Sequence, residues 1–423
     1  MRQLLTGNKR NLLILSGGTF ISQLIPFAIS PFLTRLYTPD QFSSLELVLR
    51  ISAFFAVIST LRFDIAIPLP KEDDKAYQLF TLSFFSTLVT SLLCLLLFTI
   101  FQIPITQFLD NPGFNKWLLF IPILVLLMGV AQAGSNSLLR IGRYRFISLF
   151  RIVDSGLNNV GKIAFALLIS GSVFSLILPN FIGAFFLAIL PVLALRSYVK
   201  KNNLSTDIGK LKKTFVEFSE FPKVNLPNAL IDVLHLSAVV IIIAHFFGAA
   251  ALGLYALKVR ILKTPSIVIG NSAGQIFYQT ASKMHADGLS IAPLFLKYLS
   301  YFILVGLIIF IPFTLAGPII FSLVFGESWK FAGELAQVTS IWMFLGFIAS
   351  AFSYVPVILK KQKTVLLLSL INFALVLISW VSGFYIFGDF LNTIKLLAIV
   401  ESVYFAAVNY WYYRIISQLK TSA

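Results

Sequence analysis

The sequence has almost no cysteine or histidine. Its single cysteine, Cys94, lies in an apolar run, so neither an internal disulfide nor a cysteine-based metal site can form. The three histidines, His235, His245 and His285, do not show the i, i+4 spacing with which two histidines bind a metal from one helix. We therefore expect no metal site, no cofactor and no disulfide framework.

Charged residues are also scarce. Only 12% of the 423 residues are charged, against about 25% in an ordinary soluble domain. Hydrophobic residues make up 58%, and the mean hydropathy is +0.90. This composition excludes the water-soluble classes and indicates a polytopic membrane protein. The net charge of +16 does not indicate a nucleic-acid partner, because no soluble domain with a basic face is present to carry it.

Apolar segments of about 20 residues recur along the chain, the length that a membrane-spanning helix needs. Continuous apolar runs predict helices, because the strands of a membrane barrel alternate. The first run follows a basic segment, as in a signal peptide, but continues past 20 residues and is interpreted as a spanning helix. We predict an all-α protein with twelve transmembrane helices at residues 11–34, 43–63, 77–103, 117–139, 150–171, 173–195, 226–247, 250–281, 294–322, 334–358, 364–387 and 393–413.

The distribution of lysine and arginine predicts the orientation. If the N-terminus is inside, most of the 33 lysines and arginines fall in or near the inner loops. Only Arg35, Lys116 and Lys330 fall in outer loops. We therefore expect both termini in the cytoplasm, and the positive net charge then follows from topology.

The longest polar stretch divides the predicted spans six and six. We predict an N-terminal six-helix lobe at residues 1–195, a cytoplasmic linker at 196–225 and a C-terminal six-helix lobe at 226–423. Because six is even, both lobes enter the membrane in the same direction, so any repeat is parallel and pseudo-symmetric about the membrane normal. FSSLELVLRI aligns without gaps on LGLYALKVRI and places Arg50 on Arg260.

Span eight carries three positive charges, Lys258, Arg260 and Lys263, within the stretch ALKVRILKTP. Each such residue at a helix centre costs about 2.5–3.5 kcal/mol on the insertion scale, so these side chains must face protein or water. At about 100° per residue, Arg260 and Lys263 share a face and Lys258 lies on another. We expect Arg260 and Lys263 to line a cavity, whereas Lys258 has the alternative of snorkelling to the outer interface.

Polar side chains follow one face of several other spans. Glu46 and Arg50 are four residues apart in span two and are expected to pair, with a purely structural ion pair as the alternative. The same face continues to Asp64. Together these stripes predict a water-accessible central cavity with a cationic wall. The candidate substrate-binding residues are Arg50, Arg260, Lys263, Lys162, Asn225 and Asn271, and the candidate cation-coupling residues are Asp64, Asp154, Asp232 and Glu401.

Phosphate is the group that best fits a cationic intramembrane cavity. Arginine and lysine donate charge-assisted hydrogen bonds to it, and phosphate needs help to cross lipid. Signals for an enzyme are weak by comparison. GNSAG (270–274) matches the nucleophile motif of hydrolases, but that motif requires a strand–turn–helix and here lies in a predicted membrane helix. We expect no catalytic residues.

Several stretches resemble one known family. They are PFLTRLYTPDQFSSLEL (31–47), LRFDIAIPLP (61–70), FPKVNLPNALIDVL (221–234), the span-eight region 246–279 and VFGESWKFAGELAQV (324–338). They are similar to bacterial polysaccharide lipid-intermediate flippases of the multidrug/oligosaccharidyl-lipid/polysaccharide exporter superfamily. The resemblance covers essentially the whole chain. The chain departs from relatives at Ser43 and Ser44, where glycine is often found, and it lacks the two extra helices of the lipid II flippase branch.

The resemblance implies an inner-membrane flippase, not an enzyme, that moves an undecaprenyl-diphosphate-linked oligosaccharide outward by alternating access for O-antigen or capsule synthesis. The head group would pass between the lobes, and Arg50, Arg260 and Lys263 fit the cationic positions that engage it. The expected partners are the lipid-linked oligosaccharide, the bilayer, a proton or sodium ion and polysaccharide polymerase machinery. The alternatives are a multidrug cation antiporter of the same superfamily, a membrane glycosyltransferase or polymerase, and a non-transporting scaffold.

Overall fold

The computed structural model of the chain describes residues 2–109, 111–204 and 207–418, and within them the side chains at 2–16, 112, 232, 235 and 271 are left undescribed. The described residues form helices and no β-strand, which confirms the all-α prediction. The α-helices are α1 Arg2–Leu36, α2 Pro39–Ser59, α3 Phe63–Ala66, α4 Asp73–Ile100, α5 Gln102–Phe108, α6 Asn115–Leu118, α7 Ile121–Arg140, α8 Tyr144–Leu168, α9 Val173–Lys201, α10 Ile208–Glu217, α11 Leu226–Pro265, α12 Asn271–Ala286, α13 Ala292–Phe325, α14 Lys330–Ala351, α15 Val355–Ile358, α16 Gln362–Phe387 and α17 Phe390–Ser417.

Nine helical segments in the described part of the chain are long and apolar enough to cross a membrane. Predicted span eight and the second half of predicted span seven fall in one such segment, Leu236–Ala286, within which the backbone breaks at Gly248. Helix α8, which corresponds to span five, is outside the nine and carries Arg151, Asp154 and Lys162. The count of twelve spans stays a prediction.

The helices present large apolar side chains outward. Leu168 is 81% exposed, Leu315 75% and Leu323 72%. In the most apolar stretch of α13, only 17% is buried inside the protein, and the same share is buried in that of α16. Water would not tolerate so much exposed apolar surface, whereas lipid tails solvate it, so the protein is a multi-pass membrane protein.

The chain forms two compact units, Met1–Leu252 (unit 1) and Gly253–Ala423 (unit 2). In unit 1, α8 packs between α1 and α9, and α7 packs against α9, α4 and α2. The first part of α11 also belongs to unit 1. There, the His245 ring stacks on Phe108 with centroids 4.2 Å apart, and its Nδ1 lies 2.6 Å from the Phe108 carbonyl oxygen. The predicted lobe boundaries concern repeats and not contacts, and they stay a prediction.

The segment predicted as a linker contains an amphipathic helix, α10, that packs on unit 1. The Thr214 hydroxyl lies 2.5 Å from Oε1 of Gln78, and Glu217 accepts a 2.9 Å ion-pair bond from Lys75. The Asp207 carboxylate caps the helix, because the backbone N–H groups of Lys210 and Gly209 donate to it and lower its pKa. This helix is therefore fixed to α4.

In unit 2, α14 is the central helix and packs against α13 and α17, and α17 also packs against α16. Two glycines let α13 and α14 approach each other closely. A Cβ added to Gly317 would lie 2.4 Å from the carbonyl oxygen of Gly333, so any side chain at this position would separate the two helices. This packing places the polar residues of α14, α16 and α17 next to one another.

Candidate functional site

Arg50 is the more exposed of the two candidate binding cations of unit 1, and Glu46 pairs with it. Arg50 Nε donates to Glu46 Oε1 at 2.5 Å across one turn of α2, which confirms the predicted pair. The Arg50 side chain is 36% exposed and that of Glu46 only 11%. The backbone carbonyl of Arg50 accepts a 3.4 Å bond from Ser237 in the first part of α11. The Arg50 side chain is thus held in place and is still partly exposed.

Asp64 does not continue the polar face of α2 as predicted. That helix ends at Ser59, and Leu61 and Arg62 adopt positive φ angles of 48° and 63°. Because the left-handed conformation turns the chain, Asp64 falls on the short helix α3, and its position cannot be read from the helical period of α2. There Asp64 is buried, accepting bonds from Thr60 at 2.6 Å and Asn136 at 3.2 Å.

Helix α8 brings together Asp154, Asn158 and Lys162. Asn158 Nδ2 donates to Asp154 Oδ1 at 2.8 Å. Gly183 of α9 lies against this pair, since a Cβ there would be 2.4 Å from the same carboxylate oxygen. Lys162 is only 4% exposed, and its backbone carbonyl accepts a 2.7 Å bond from Tyr37. These three residues lie within the helix packing of unit 1.

The remaining predicted site residues are distributed over both units. In unit 1, Asn225 ends the π-helical turn Phe221–Asn225 and is half-buried. In unit 2, Arg260 is half-buried and Lys263 is exposed on the same side of α11. The side chains of Asp232 and Asn271, a coupling candidate and a binding candidate, lie outside the described residues.

Lys258 is fully buried, so the alternative of snorkelling to the outer interface is wrong. Its Nζ lies 4.3 Å from the centre of the Tyr255 ring and 5.0 Å from that of Trp342. Within the described part of the chain, this nitrogen has no hydrogen-bond partner. Burying an ammonium costs several kcal/mol, and the two aromatic faces return about 1–2 kcal/mol each. For the Lys258 ammonium, the attraction of the two aromatic faces therefore nearly offsets the free-energy cost of desolvation.

Glu401 lies in the core of unit 2 and is 2% exposed. Asn372 of α16 donates to its Oε1 at 2.7 Å, and the indole of Trp342 on α14 lies close to the same carboxylate. Neither of these two neighbours is charged. Sequence reasoning missed both Asn372 and Trp342. An asparagine inside the apolar run of span eleven is a signal that could have identified Asn372.

The motif GNSAG does not form a hydrolase elbow. Its first residue ends the π-helical turn Ser266–Gly270, and the other four open α12, so the required strand–turn–helix is replaced by continuous helical structure. Among the residues that the structure describes, no group of three His, Cys, Asp or Glu side chains could hold a metal ion.

A family-level comparison decides the identity. The family described as "Polysaccharide biosynthesis protein" matches residues 32–334. The chain belongs to this family. No curated protein matches the chain. The predicted resemblance is therefore confirmed at the level of the family.

Solved structures show the same fold. An inward-facing multidrug resistance MATE family transporter of the MOP superfamily is 14% identical, with a TM-score of 0.70 over 98% of this chain and 96% of its own. The lipid II flippase MurJ, in an inward closed conformation, is also 14% identical, with a TM-score of 0.70 over 94% of this chain and 87% of its own. A MOP superfamily transporter from Pyrococcus furiosus is 13% identical, with a TM-score of 0.54 over 97% and 96%.

At these identities the likeness establishes the fold alone. The chain is thus a membrane protein of the polysaccharide biosynthesis family that has the fold of these transporters. Its localisation is a membrane that it crosses several times, consistent with a bacterial inner membrane.

Proposed function

We propose that the protein translocates an undecaprenyl-diphosphate-linked oligosaccharide across the inner membrane by alternating access, for the synthesis of a surface polysaccharide such as O-antigen or capsule. The observation that carries this proposal is the presence of cationic side chains in the membrane-spanning part of both units. Arg50 serves unit 1, and Arg260 and Lys263 serve unit 2. The family description supports the glycan part of the cargo.

The diphosphate is the part of such a cargo that these residues recognise. A polyprenyl tail remains dissolved in the bilayer, whereas a charged head group cannot cross about 30 Å of hydrocarbon unaided. Guanidinium groups donate paired N–H bonds to phosphate oxygens, and ammonium groups act as point charges. Asn225, Asn271 and Lys162 remain proposals for contacts with the rest of the head group.

Glu46 gives Arg50 a defined role in binding. It bonds to Nε, which is one of the five N–H donors of a guanidinium. The Glu46 carboxylate therefore fixes the plane of the guanidinium and partly offsets its charge. A bound diphosphate would compete electrostatically with Glu46, so release of the cargo does not have to overcome an unopposed positive charge.

Coupling to a proton or sodium gradient is the second part of the proposal. Asp64 accepts bonds from Thr60 and Asn136, and Asp154 accepts from Asn158. Glu401 likewise accepts a bond from a neutral donor, Asn372. Carboxylates in such surroundings can change protonation during a transport cycle. Asp232 is kept as a candidate on sequence grounds.

A multidrug cation antiporter is the competing function, favoured by the fold of the MATE family neighbour. It requires an acidic site for a cationic drug. The cationic residues of the spans argue against it, because they would repel such a cargo. A membrane glycosyltransferase or polymerase, and a scaffold for polymerase machinery, are less well supported.

Binding of a synthetic polyprenyl-diphosphate oligosaccharide to the purified protein tests the proposal. We expect Arg260→Ala to weaken binding by roughly 10- to 150-fold, the equivalent of a charged hydrogen bond of about 1.5–3 kcal/mol. Lys395→Ala, which removes an exposed lysine of α17, is the matched control and should bind as the wild type does. Equal binding by Arg260→Ala and the wild type would show that Arg260 does not contribute to cargo binding.

The Arg50 test needs a second substitution. Arg50→Ala alone leaves the buried Glu46 carboxylate without its ion pair, so weaker binding could reflect disturbed packing. The comparison of Glu46→Gln with the double variant Glu46→Gln/Arg50→Ala removes that ambiguity. The proposal expects tighter binding by Glu46→Gln than by the wild type, and weak binding by the double variant.

A further inference from the structure

The proposed function does not explain why unit 2 buries a lysine. Lys258 lies on a different side of α11 from Arg260 and Lys263, and its side chain is fully enclosed. Cargo that contacts the exposed Lys263 cannot contact Lys258 without a change in structure. A hydrophobic residue of the same size would fill this position at less cost. The amine therefore serves a purpose other than packing or direct cargo binding.

The second feature is the connection between Lys258 and Glu401 through one side chain. The centre of the Trp342 ring lies 5.0 Å from Lys258 Nζ, and the same side chain lies close to the Glu401 carboxylate. Asn372 fixes the carboxylate from the other side at 2.7 Å. One aromatic side chain thus separates a buried base from a buried acid.

Few other titratable groups face this pair in the described part of unit 2. Tyr255 lies on the lysine's own helix and faces Nζ with its ring. On α17, Tyr404 lies close to Glu401, and its hydroxyl donates to the backbone carbonyl of Leu368 at 3.2 Å. Lys258 and Glu401 are thus the groups whose charge can change without disturbing a network of ion pairs.

We propose that Lys258 and Glu401 form a proton-exchange pair that couples transport to a proton gradient, with Trp342 as the positioning residue between them. This rests on the proposed function, because a coupling site has a purpose only in a transporter. Movement of the Trp342 ring out of its position would let the Lys258 amine and the Glu401 carboxylate come together. Return of the ring would separate them again.

The proton step is a simple transfer. When the groups meet, an N–H bond of the Lys258 ammonium breaks and an O–H bond forms on the Glu401 carboxylate, which leaves a neutral amine and a neutral acid. The Glu401 acid then releases its proton to water on one side of the membrane. The Lys258 amine takes up a proton from water on the other side, which restores both charges and completes the cycle. No other reactant is needed.

A proton suits this site better than sodium. The described hydrogen bond of the Glu401 carboxylate comes from the N–H of Asn372, whose positive end points at an oxygen that a metal ion would need. A hard cation prefers several oxygen ligands. Lys258 behind Trp342 adds a further positive group where sodium would have to bind.

The test uses proteoliposomes with a pH-sensitive dye inside and undecaprenyl diphosphate as the added probe. The wild type should move protons when the probe is added across a pH gradient. Lys258→Met and Glu401→Gln should reduce the initial rate at least tenfold, and their affinity for the probe should stay within twofold of the wild type. Lys395→Met is the matched lysine control and should behave as the wild type does.

Lys258→Arg separates proton exchange from a structural role. Arginine keeps the positive charge and the contact with aromatic faces but does not release its proton. Proton exchange therefore predicts that Lys258→Arg is as inactive as Lys258→Met, whereas a structural cation predicts that arginine restores activity. If Lys258→Met does not fold, the arginine variant decides alone.

The outcomes are distinguishable from failure of the proposed function. If the wild type does not bind undecaprenyl diphosphate, the proposed cargo is wrong. If it binds the probe but moves no protons, or if Lys258→Met or Lys258→Arg moves them at the wild-type rate, the proton-exchange pair is wrong and the proposed cargo stands.

Discussion

Arg50 is held by Glu46 at 2.5 Å, and the carboxylate is much more deeply buried than the guanidinium. Because of this difference in burial, removal of the acid and removal of the arginine have different effects. Removal of the acid leaves a partly exposed arginine that water can solvate, whereas removal of the arginine leaves a buried carboxylate. The two single substitutions should therefore differ in stability as well as in binding.

For the Glu46–Arg50 pair, we expect Arg50→Ala to lower the free energy of unfolding by about 1–2 kcal/mol. The value lies at the lower end for a buried charge because the guanidinium is partly exposed. Glu46→Gln should cost less than Arg50→Ala. Denaturant unfolding in detergent would measure both, and an Arg50→Ala protein as stable as the wild type would show that the ion pair is not maintained.

Gly183 should be intolerant of a side chain. Its added Cβ would lie 2.4 Å from Asp154 Oδ1, so Gly183→Ala must displace the carboxylate or separate α8 from α9. We expect a loss of about 1–3 kcal/mol in the free energy of unfolding. Gly156→Ala is the matched control on α8, since its Cβ meets nothing within 4 Å. That variant should gain about 0.5–1 kcal/mol, as alanine favours helix. Equal stabilities of the two variants would contradict the described packing.

Lys258→Met should not destabilise the protein. The substitution replaces a buried amine by an apolar side chain of similar length, and the aromatic faces of Tyr255 and Trp342 pack against either group. We expect the free energy of unfolding to rise by about 1–2 kcal/mol. A thermal unfolding measurement checks this. A fall of the melting temperature by several degrees would show that Lys258 stabilises the core and would favour a structural role.

Asp389 should make the stability of α17 depend on pH. Its carboxylate caps the helix, and the backbone N–H of Asn392, which donates to it at 2.8 Å, lowers its pKa. A lowered folded-state pKa means that the stabilisation is present at neutral pH and is lost as pH falls from about 4 through the folded value.

Asp389→Ala should therefore cost about 1 kcal/mol at pH 7 and less at pH 3. Asp389→Ser keeps a capping oxygen without a charge and should show no such pH dependence. Unfolding curves at the two pH values distinguish the variants, and an equal cost of Asp389→Ala at both would mean that the charge of the cap is unimportant.

The sequence predicted much of the fold and one important contact. Long apolar runs predict membrane helices, and the i, i+4 spacing of Glu46 and Arg50 predicts their ion pair. Both depend only on local helical geometry. The hydrolase-like motif was also interpreted correctly, because its context was helical and a strand was required.

Features that depend on tertiary structure could not be predicted in the same way. The left-handed residues Leu61 and Arg62 carry no glycine, asparagine or proline signal, so the placement of Asp64 by helical period was wrong. A helical wheel separates Lys258 from Arg260 but does not say which side faces protein. The connection of Lys258 to Glu401 through Trp342 arises from the packing of three helices.

The most direct test of the central claim is transbilayer movement of the cargo itself. Proteoliposomes would contain a fluorescent polyprenyl-diphosphate oligosaccharide in both leaflets, with a membrane-impermeant quencher added outside. We expect the wild type to expose nearly all of the fluorophore, and the Arg260→Ala protein to expose little beyond the half seen in protein-free vesicles. A wild type that leaves the inner half protected, while it moves a cationic drug, would contradict the account.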